Sequence, residues 1–218
     1  MTTAIVEDHL ILREVFREVC THVLGHTIVA EAGGGKEAVE AIRRTTPELI
    51  LLDIVLPDFD GFEVLRRMKR RSEPRPRVLL LSGYLDPYTV YRVANAEVDG
   101  FVDKCASPVQ TLAEAIRAIA SNGTYFSESF RQMQARMNED PKSFDKVLTR
   151  RELVILQLVG KLLPDEAVAR RLNITPRTAE THRQAIMNKL GMHSRPELIR
   201  YAQRNGFMRG TRALAAAP

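Results

Sequence analysis

The chain has 218 residues, 44% hydrophobic and 27% charged, which suits a domain of about 120 residues followed by a smaller one rather than a single core. Its net charge of +5 is unevenly spread: residues 1–126 hold 15 Lys+Arg against 18 Asp+Glu, and residues 127–218 hold 17 against 9, which points to a nucleic-acid partner for the C-terminal part. Only Cys20 and Cys105 occur, too few for a disulfide framework or thiolate cluster, and no signal peptide or run of ~18 apolar residues is present; the expectation is a cytoplasmic protein with reduced thiols and no membrane partner.

Apolar runs at 3–6, 27–32, 48–52, 77–82 and 99–103 alternate with segments of helical period at 9–23, 36–45, 61–71, 87–96 and 108–121. Five β-then-α units predict an α/β fold with a doubly wound, five-stranded parallel sheet and right-handed crossovers. Several runs end in polar residues: Glu7-Asp8 after the first, Asp53 after the third, Ser82 after the fourth, Asp103-Lys104 after the fifth. In an open α/β sheet ligands bind beyond the carboxyl ends of the strands, so these side chains are expected to converge. Three carboxylates suit a hard divalent cation, a hydroxyl and an ammonium suit phosphate oxygens, and Asp53 can accept a phosphoryl group. Gly33-Gly34-Gly35 falls in a βα turn, but neither glycine-rich nucleotide fingerprint is present.

Glu7-Asp8-His9, Leu51-Leu52-Asp53-Ile54-Val55-Leu56-Pro57 with Gly61 eight residues past the Asp, Ser82, and Phe101-Val102-Asp103-Lys104 together resemble the receiver domain of two-component response regulators, over residues 1–122. The resemblance implies a flavodoxin-like sheet, phosphorylation of Asp53 by a sensor histidine kinase, and Mg²⁺ held by Asp8, Asp53, the backbone carbonyl of Val55 and, further out, Glu7. It also implies that Lys104 and Ser82 bind the phosphoryl oxygens and that Phe101 is the switch aromatic. Two positions depart from the pattern. Glu7 stands where Asp is commoner, and Cys105 follows the Lys where receivers usually have Pro, with Pro108 three residues later. An aspartyl phosphatase would need a second carboxylate beside Asp53, and Val55 supplies none.

Residues 123–146 are expected to form a short helix and then a linker, since Asn138-Glu139-Asp140-Pro141 breaks a helix. Beyond them, Leu148–Gly160, Pro164–Leu172, Thr175–Leu190 and Arg195–Asn205 predict four helices closed by Gly160, Gly191 and Gly206, a small all-α domain over 147–208, with a disordered tail at 209–218. Thr175-Pro176 opens the third helix as N-cap and first position. In it Ala179, His182, Ile186 and Leu190 face inward, while Arg177, Thr178, Glu180, Thr181, Gln184 and Asn188 form a polar stripe for base edges, flanked by Arg183 and Lys189 for phosphates.

Leu148-Thr149-Arg150-Arg151-Glu152, Ala169-Arg170-Arg171-Leu172, Thr178-Ala179-Glu180-Thr181-His182 and Lys189-Leu190-Gly191 resemble a LuxR-type helix-turn-helix, and with the receiver-like half the chain resembles NarL/FixJ-type regulators. Lys161-Leu162-Leu163-Pro164 replaces the usual glycine-containing turn. The resemblance implies double-stranded DNA as partner, a homodimer on activation with Leu198, Ile199 and Ala202 as its contact, and a phosphorylation-driven shift from a closed monomer to an open dimer. Those three residues could instead pack on the domain's own core. The alternative function is a degenerate receiver whose DNA binding or protein contacts are phosphorylation-independent.

Overall fold

Apolar runs without polar alternation suit strands covered on both faces, and the four central strands fold that way while the run at 27–32 forms a half-exposed edge. The computed structural model, which describes residues 1–68, 75–106 and 109–208, has strands β1 (Thr2–Val6), β2 (Thr27–Ala32), β3 (Leu49–Asp53), β4 (Arg77–Ser82), β5 (Gly100–Asp103) and β6 (Tyr125–Phe126). They pair in parallel in the order β2-β1-β3-β4-β5-β6. The sheet is thus doubly wound as expected, but with six strands rather than five. The sixth is two residues long and pairs only with Gly100 and Phe101, too short to show as an apolar run.

Between the strands run α1 (Leu10–Glu18), which continues through one π-helical turn at Val19–Val23, α2 (Gly35–Thr45), α3 (Gly61–Met68), α4 (Pro87–Ala94) and α5 (Val109–Ala120). The expected helix ends at 69–71 and 108, and the expected tail at 209–218, lie outside the described residues. Side chains alternate across the strands, so Ile5, Leu49, Leu51, Leu79, Leu81 and Val102 share one face, packed on Phe16, Val19 and Cys20 of α1 and on Leu112, Ile116 and Ile119 of α5. β1 lies between β2 and β3, the strand to which the chain crosses over on its other side. The crevice past the ends of β1 and β3 is therefore the switch point where such sheets bind ligands.

The chain divides into two compact units, Met1–Leu85 with Arg92–Gln132, and Asp86–Tyr91 with Met133–Arg209; the division cuts α4 between Tyr91 and Arg92 and α6 (Glu128–Glu139) between Gln132 and Met133. After α6 come α7 (Phe144–Val147), α8 (Arg150–Gly160), α9 (Asp165–Leu172), α10 (Pro176–Leu190) and α11 (Arg195–Arg204). Each of the larger helix starts has a chemical cause. Thr149 and Glu152 cap each other's backbone N–H groups at α8, Thr175 accepts from the Thr178 N–H at α10, and Ser194 accepts from the Glu197 N–H at α11. Gly191 takes the left-handed conformation that stops α10, with φ +67°. Gly160 does not play that part. It is the last residue of α8, where an added Cβ would lie 3.0 Å from the Ala202 Cβ, and the left-handed residue of the next turn is Leu162, at φ +63°. Close packing of α8 on α11 thus claims the glycine, and the turn takes up an unfavourable leucine conformation. No described helix is long and apolar enough to cross a membrane.

Candidate functional site

Strand register assembles the acidic centre. Val6 pairs with Leu52, so Glu7 and Asp8 leave β1 beside Asp53 at the end of β3, and Ser82 pairs with Asp103, which delivers Lys104 to the same rim. One oxygen each of Glu7, Asp8 and Asp53 lies within 4.8 Å of the others, and Lys104 Nζ sits 3.0 Å from Glu7 Oε2 and 2.9 Å from Asp53 Oδ2. Glu7 is 1% exposed and Asp53 3%. Burial pushes both carboxyl pKa values up, and for Glu7 the neighbouring Asp53 charge adds to it. Burial pulls the Lys104 ammonium down, but Asp53 and Glu7 outweigh it and raise its pKa, so the lysine stays charged.

The backbone completes the centre. Asp53 Oδ1 accepts the Val55 N–H at 3.2 Å, Glu7 Oε1 accepts the His9 N–H at 3.2 Å, and Arg13 Nη1 donates to the Glu7 carbonyl at 2.7 Å. Arg13 was not foreseen, because a basic residue on the first turns of a helix carries no distinguishing sequence signal. Gly61 is required by a close approach: a Cβ there would lie 2.5 Å from the Asp53 carbonyl oxygen. Ser82 is buried, its hydroxyl accepting from the Tyr84 N–H at 3.1 Å and its carbonyl from the Lys104 N–H at 2.8 Å. Phe101 is fully buried, its ring 5.1 Å from that of Phe130. Three carboxylates facing one ammonium form a donor set suited to a hard divalent cation. The Gly33-Gly34-Gly35 turn has a protein occupant: Asp58 accepts the Gly35 and Lys36 N–H groups at 2.7 and 2.8 Å, filling the start of α2 where a nucleotide phosphate would bind.

In the second unit, α10 exposes Arg177, Thr178, Glu180, Thr181, Gln184 and Asn188, while Ala179 and Ile186 are buried and His182 and Leu190 half-buried. Met187 joins the buried set. The two flanking cations differ from their expected role. Arg183, with only 13% of its side chain exposed, is bound by Asp165 at 2.9 Å to Nη2 and 3.1 Å to Nε, and Lys189 Nζ is bound by the buried Glu152 at 2.7 Å. Both charges brace α10 against α9 and α8. Asp165 and Glu152 drew no functional notice in the sequence because a helix-start acid usually serves its own helix. The expected dimer contact also needs correction. Leu198 and Ala202 are fully buried inside the domain, where α11 packs on α8, and of the three residues only Ile199 keeps part of its surface. Closing a four-helix core of this size takes the whole inner face of α11.

Residues 3–117 match the response regulator receiver domain, and residues 146–202 match the bacterial regulatory proteins of the luxR family. The response regulator protein VraR of Staphylococcus saprophyticus is 31% identical over 198 residues, which cover 90% of this chain and 93% of VraR. Among solved structures, RcsB from Salmonella enterica serovar Typhimurium, bound to a promoter in the presence of the phosphomimetic BeF3−, aligns with a TM-score of 0.65 at 20% identity, over 92% of this chain and 97% of that one. A LuxR-family two-component response regulator from Aurantimonas sp. SI85-9A1 aligns with a TM-score of 0.59 at 28% identity, over 64% of this chain and 98% of that one.

Because burial and like charge penalise the ionised carboxylates, Asp53→Asn should stabilise the cation-free protein at neutral pH. Thermal melts in a chelator would show a higher midpoint; a lower one would contradict the account of the centre. Arg183→Met leaves Asp165 only the more distant Arg195, at 3.9 Å, and should destabilise the second unit by roughly 1–3 kcal/mol, whereas Gln184→Ala on the exposed stripe should change its stability by less than about 0.5 kcal/mol.

Proposed function

This chain is a NarL/FixJ-type response regulator of a two-component system, a receiver domain followed by a LuxR-type domain that binds DNA and regulates transcription, and from that premise we propose that phosphorylation of Asp53 by a sensor histidine kinase controls its DNA binding. The observation that carries the proposal is the Lys104 ammonium bridging Asp53 and Glu7 at the switch point of the sheet. We assign Asp53 as the acceptor because it ends β3 in the stretch that resembles the receiver phosphoacceptor motif, with one oxygen held by a backbone N–H and the other by Lys104, an arrangement that Glu7 shares from just past β1.

In the transfer an Asp53 oxygen forms the new P–O bond while the P–N bond of the donor phosphohistidine breaks, and the imidazole leaves with that electron pair and takes up a proton. Attack by one anion on another needs positive charge between them. Glu7, Asp8, Asp53 and the Val55 carbonyl would hold Mg²⁺, which supplies that charge and an octahedral template when bound. Lys104 would neutralise a phosphoryl oxygen, and Ser82, released from the Tyr84 N–H, would donate to another. Phe101 lies two residues along β5 from the Asp103 that pairs with Ser82, which suits it to respond when that hydroxyl moves. The fold likeness to RcsB in the presence of BeF3− supports the same reading.

In the C-terminal domain the exposed stripe of α10 would enter the major groove, with Thr181 and Gln184 central to base recognition and Arg177 and Thr178 near the helix start. One such helix makes few base contacts, so the phosphorylated protein would bind as a homodimer on paired half-sites. The surfaces left for that contact exclude Leu198 and Ala202.

Incubation with acetyl phosphate and Mg²⁺ should add one phosphate per chain, absent in Asp53→Ala, and should tighten DNA binding in a salt-dependent gel-shift assay. Full labelling of Asp53→Ala would contradict the assignment of the acceptor. Labelling without any change in DNA affinity would favour a receiver whose phosphate does not control the C-terminal domain.

A further inference from the structure

The segment following α5, for which the sequence predicts a short helix and then a linker, begins with residues built onto β5. Tyr125 and Phe126 pair with Gly100 and Phe101, the Tyr125 N–H donates to the Asp99 carbonyl at 3.1 Å, and the Ser127 N–H donates to the Phe101 carbonyl at 2.9 Å. The first turn of α6 then makes two side-chain contacts with the same strand. The Phe130 ring packs 5.1 Å from the Phe101 ring, tilted by 38°, and the Ser129 hydroxyl donates to Asp103 Oδ2 at 3.1 Å. Phe126 stacks on Phe130 from the other side, also at 5.1 Å. Residues 101 and 103 share a face of β5, so the two contacts lie one above the other.

Asp103 links this turn to the acidic centre. Its other oxygen, Oδ1, accepts the Cys105 N–H at 2.9 Å and the Ala106 N–H at 3.3 Å, so the one buried carboxylate fastens the turn on which Lys104 stands. In most receivers a proline after the lysine restricts this turn covalently. Here Cys105 lacks that ring, and hydrogen bonds to Asp103, with the Cys105 thiol donating to the Gly83 carbonyl at 3.3 Å, supply the restraint. Ser129 is what orients Asp103 from outside the turn.

We propose that Ser129 and Phe130 are positioning residues that make the first turn of α6 a read-out of the Lys104 segment. The inference rests on phosphorylation of Asp53 as proposed above. Recruitment of Lys104 Nζ to a phosphoryl oxygen shifts residues 104–106, Asp103 follows its two N–H donors, and the Asp103–Ser129 hydrogen bond and the Phe101–Phe130 contact pass the shift to α6. The same helix continues as Met133–Glu139 in the second compact unit, so the chain that leaves the read-out leads into the unit that contains the DNA-binding helices.

The test uses the full chain with Ser129→Ala, Phe130→Leu and the conservative Ser129→Thr. Amide hydrogen exchange of the unphosphorylated protein should be about fivefold faster at Cys105 and Ala106 in Ser129→Ala, the factor that loss of one hydrogen bond of about 1 kcal/mol implies, and near wild type in Ser129→Thr. At equal phosphate content, Ser129→Ala and Phe130→Leu should lose most of the phosphorylation-dependent gain in DNA affinity, and Ser129→Thr should recover it. A full gain in both Ser129→Ala and Phe130→Leu overturns the coupling, whatever the exchange rates show, as does exchange at Cys105 and Ala106 that is unchanged in Ser129→Ala. A wild-type chain that takes up no phosphate, or gains no affinity from it, overturns the phosphorylation reading and the coupling with it; a wild-type gain retained in full by the variants overturns the coupling alone.

Discussion

The structure of the N-terminal domain turns on one ammonium among three acids. Lys104 satisfies Asp53 and Glu7 at once, and without it two nearly inaccessible carboxylates would face each other with oxygens within 4.8 Å and no counter-ion between them. Burial is the larger cost of ionising them, with like-charge repulsion added to it, and the raised pKa values of Glu7 and Asp53 express both. The arrangement is stable enough to fold and tense enough to respond to added charge. A divalent cation would relieve it, and a phosphoryl group on Asp53, as proposed, would re-partition it, because Lys104 cannot serve Glu7 and a phosphoryl oxygen with the same geometry.

The rest of the domain holds that ammonium in place. The parallel register of β1, β3, β4 and β5 brings four strand ends to one rim, Gly61 lets α3 approach the Asp53 carbonyl, and Asp103 ties down the turn after Lys104. The C-terminal domain uses charge differently. Asp165 faces Arg183 and, at 3.9 Å, Arg195, Arg183 also reaches Glu180 at 3.8 Å, and Lys189 pairs with Glu152; together these contacts set the pose of α10 on α9 and α8. Breaking such a pair leaves an uncompensated charge, so these residues fix geometry while the exposed stripe beside them is free for recognition.

Much of this was legible in the sequence because it depends on local periodicity. Strand runs ending in Glu7-Asp8, Asp53, Ser82 and Lys104 place those residues at one rim of any parallel sheet, and Thr175-Pro176 marks the start of α10 without reference to the fold. What failed to show depends on partners distant in sequence. Leu198 and Ala202 form the same apolar stripe whether it faces another copy or α8, and only packing decides for α8. Arg183 and Lys189 look like phosphate ligands until Asp165 and Glu152 are found opposite them. Strand β6 is two residues long, and its partner lies 25 residues back, so no window of the sequence contains both. Gly160 reads as a helix stop, but its use is to let Ala202 come close.

The central claim is that Lys104 and a divalent cation answer the same negative charge. Isothermal titration of Mg²⁺ into the unphosphorylated protein and into Lys104→Gln tests it most directly. The account predicts tighter binding by Lys104→Gln, because the acids lose their internal counter-ion and the cation no longer competes with it. Unchanged or weaker Mg²⁺ binding by that variant would show that Lys104 does not set the charge balance of the centre.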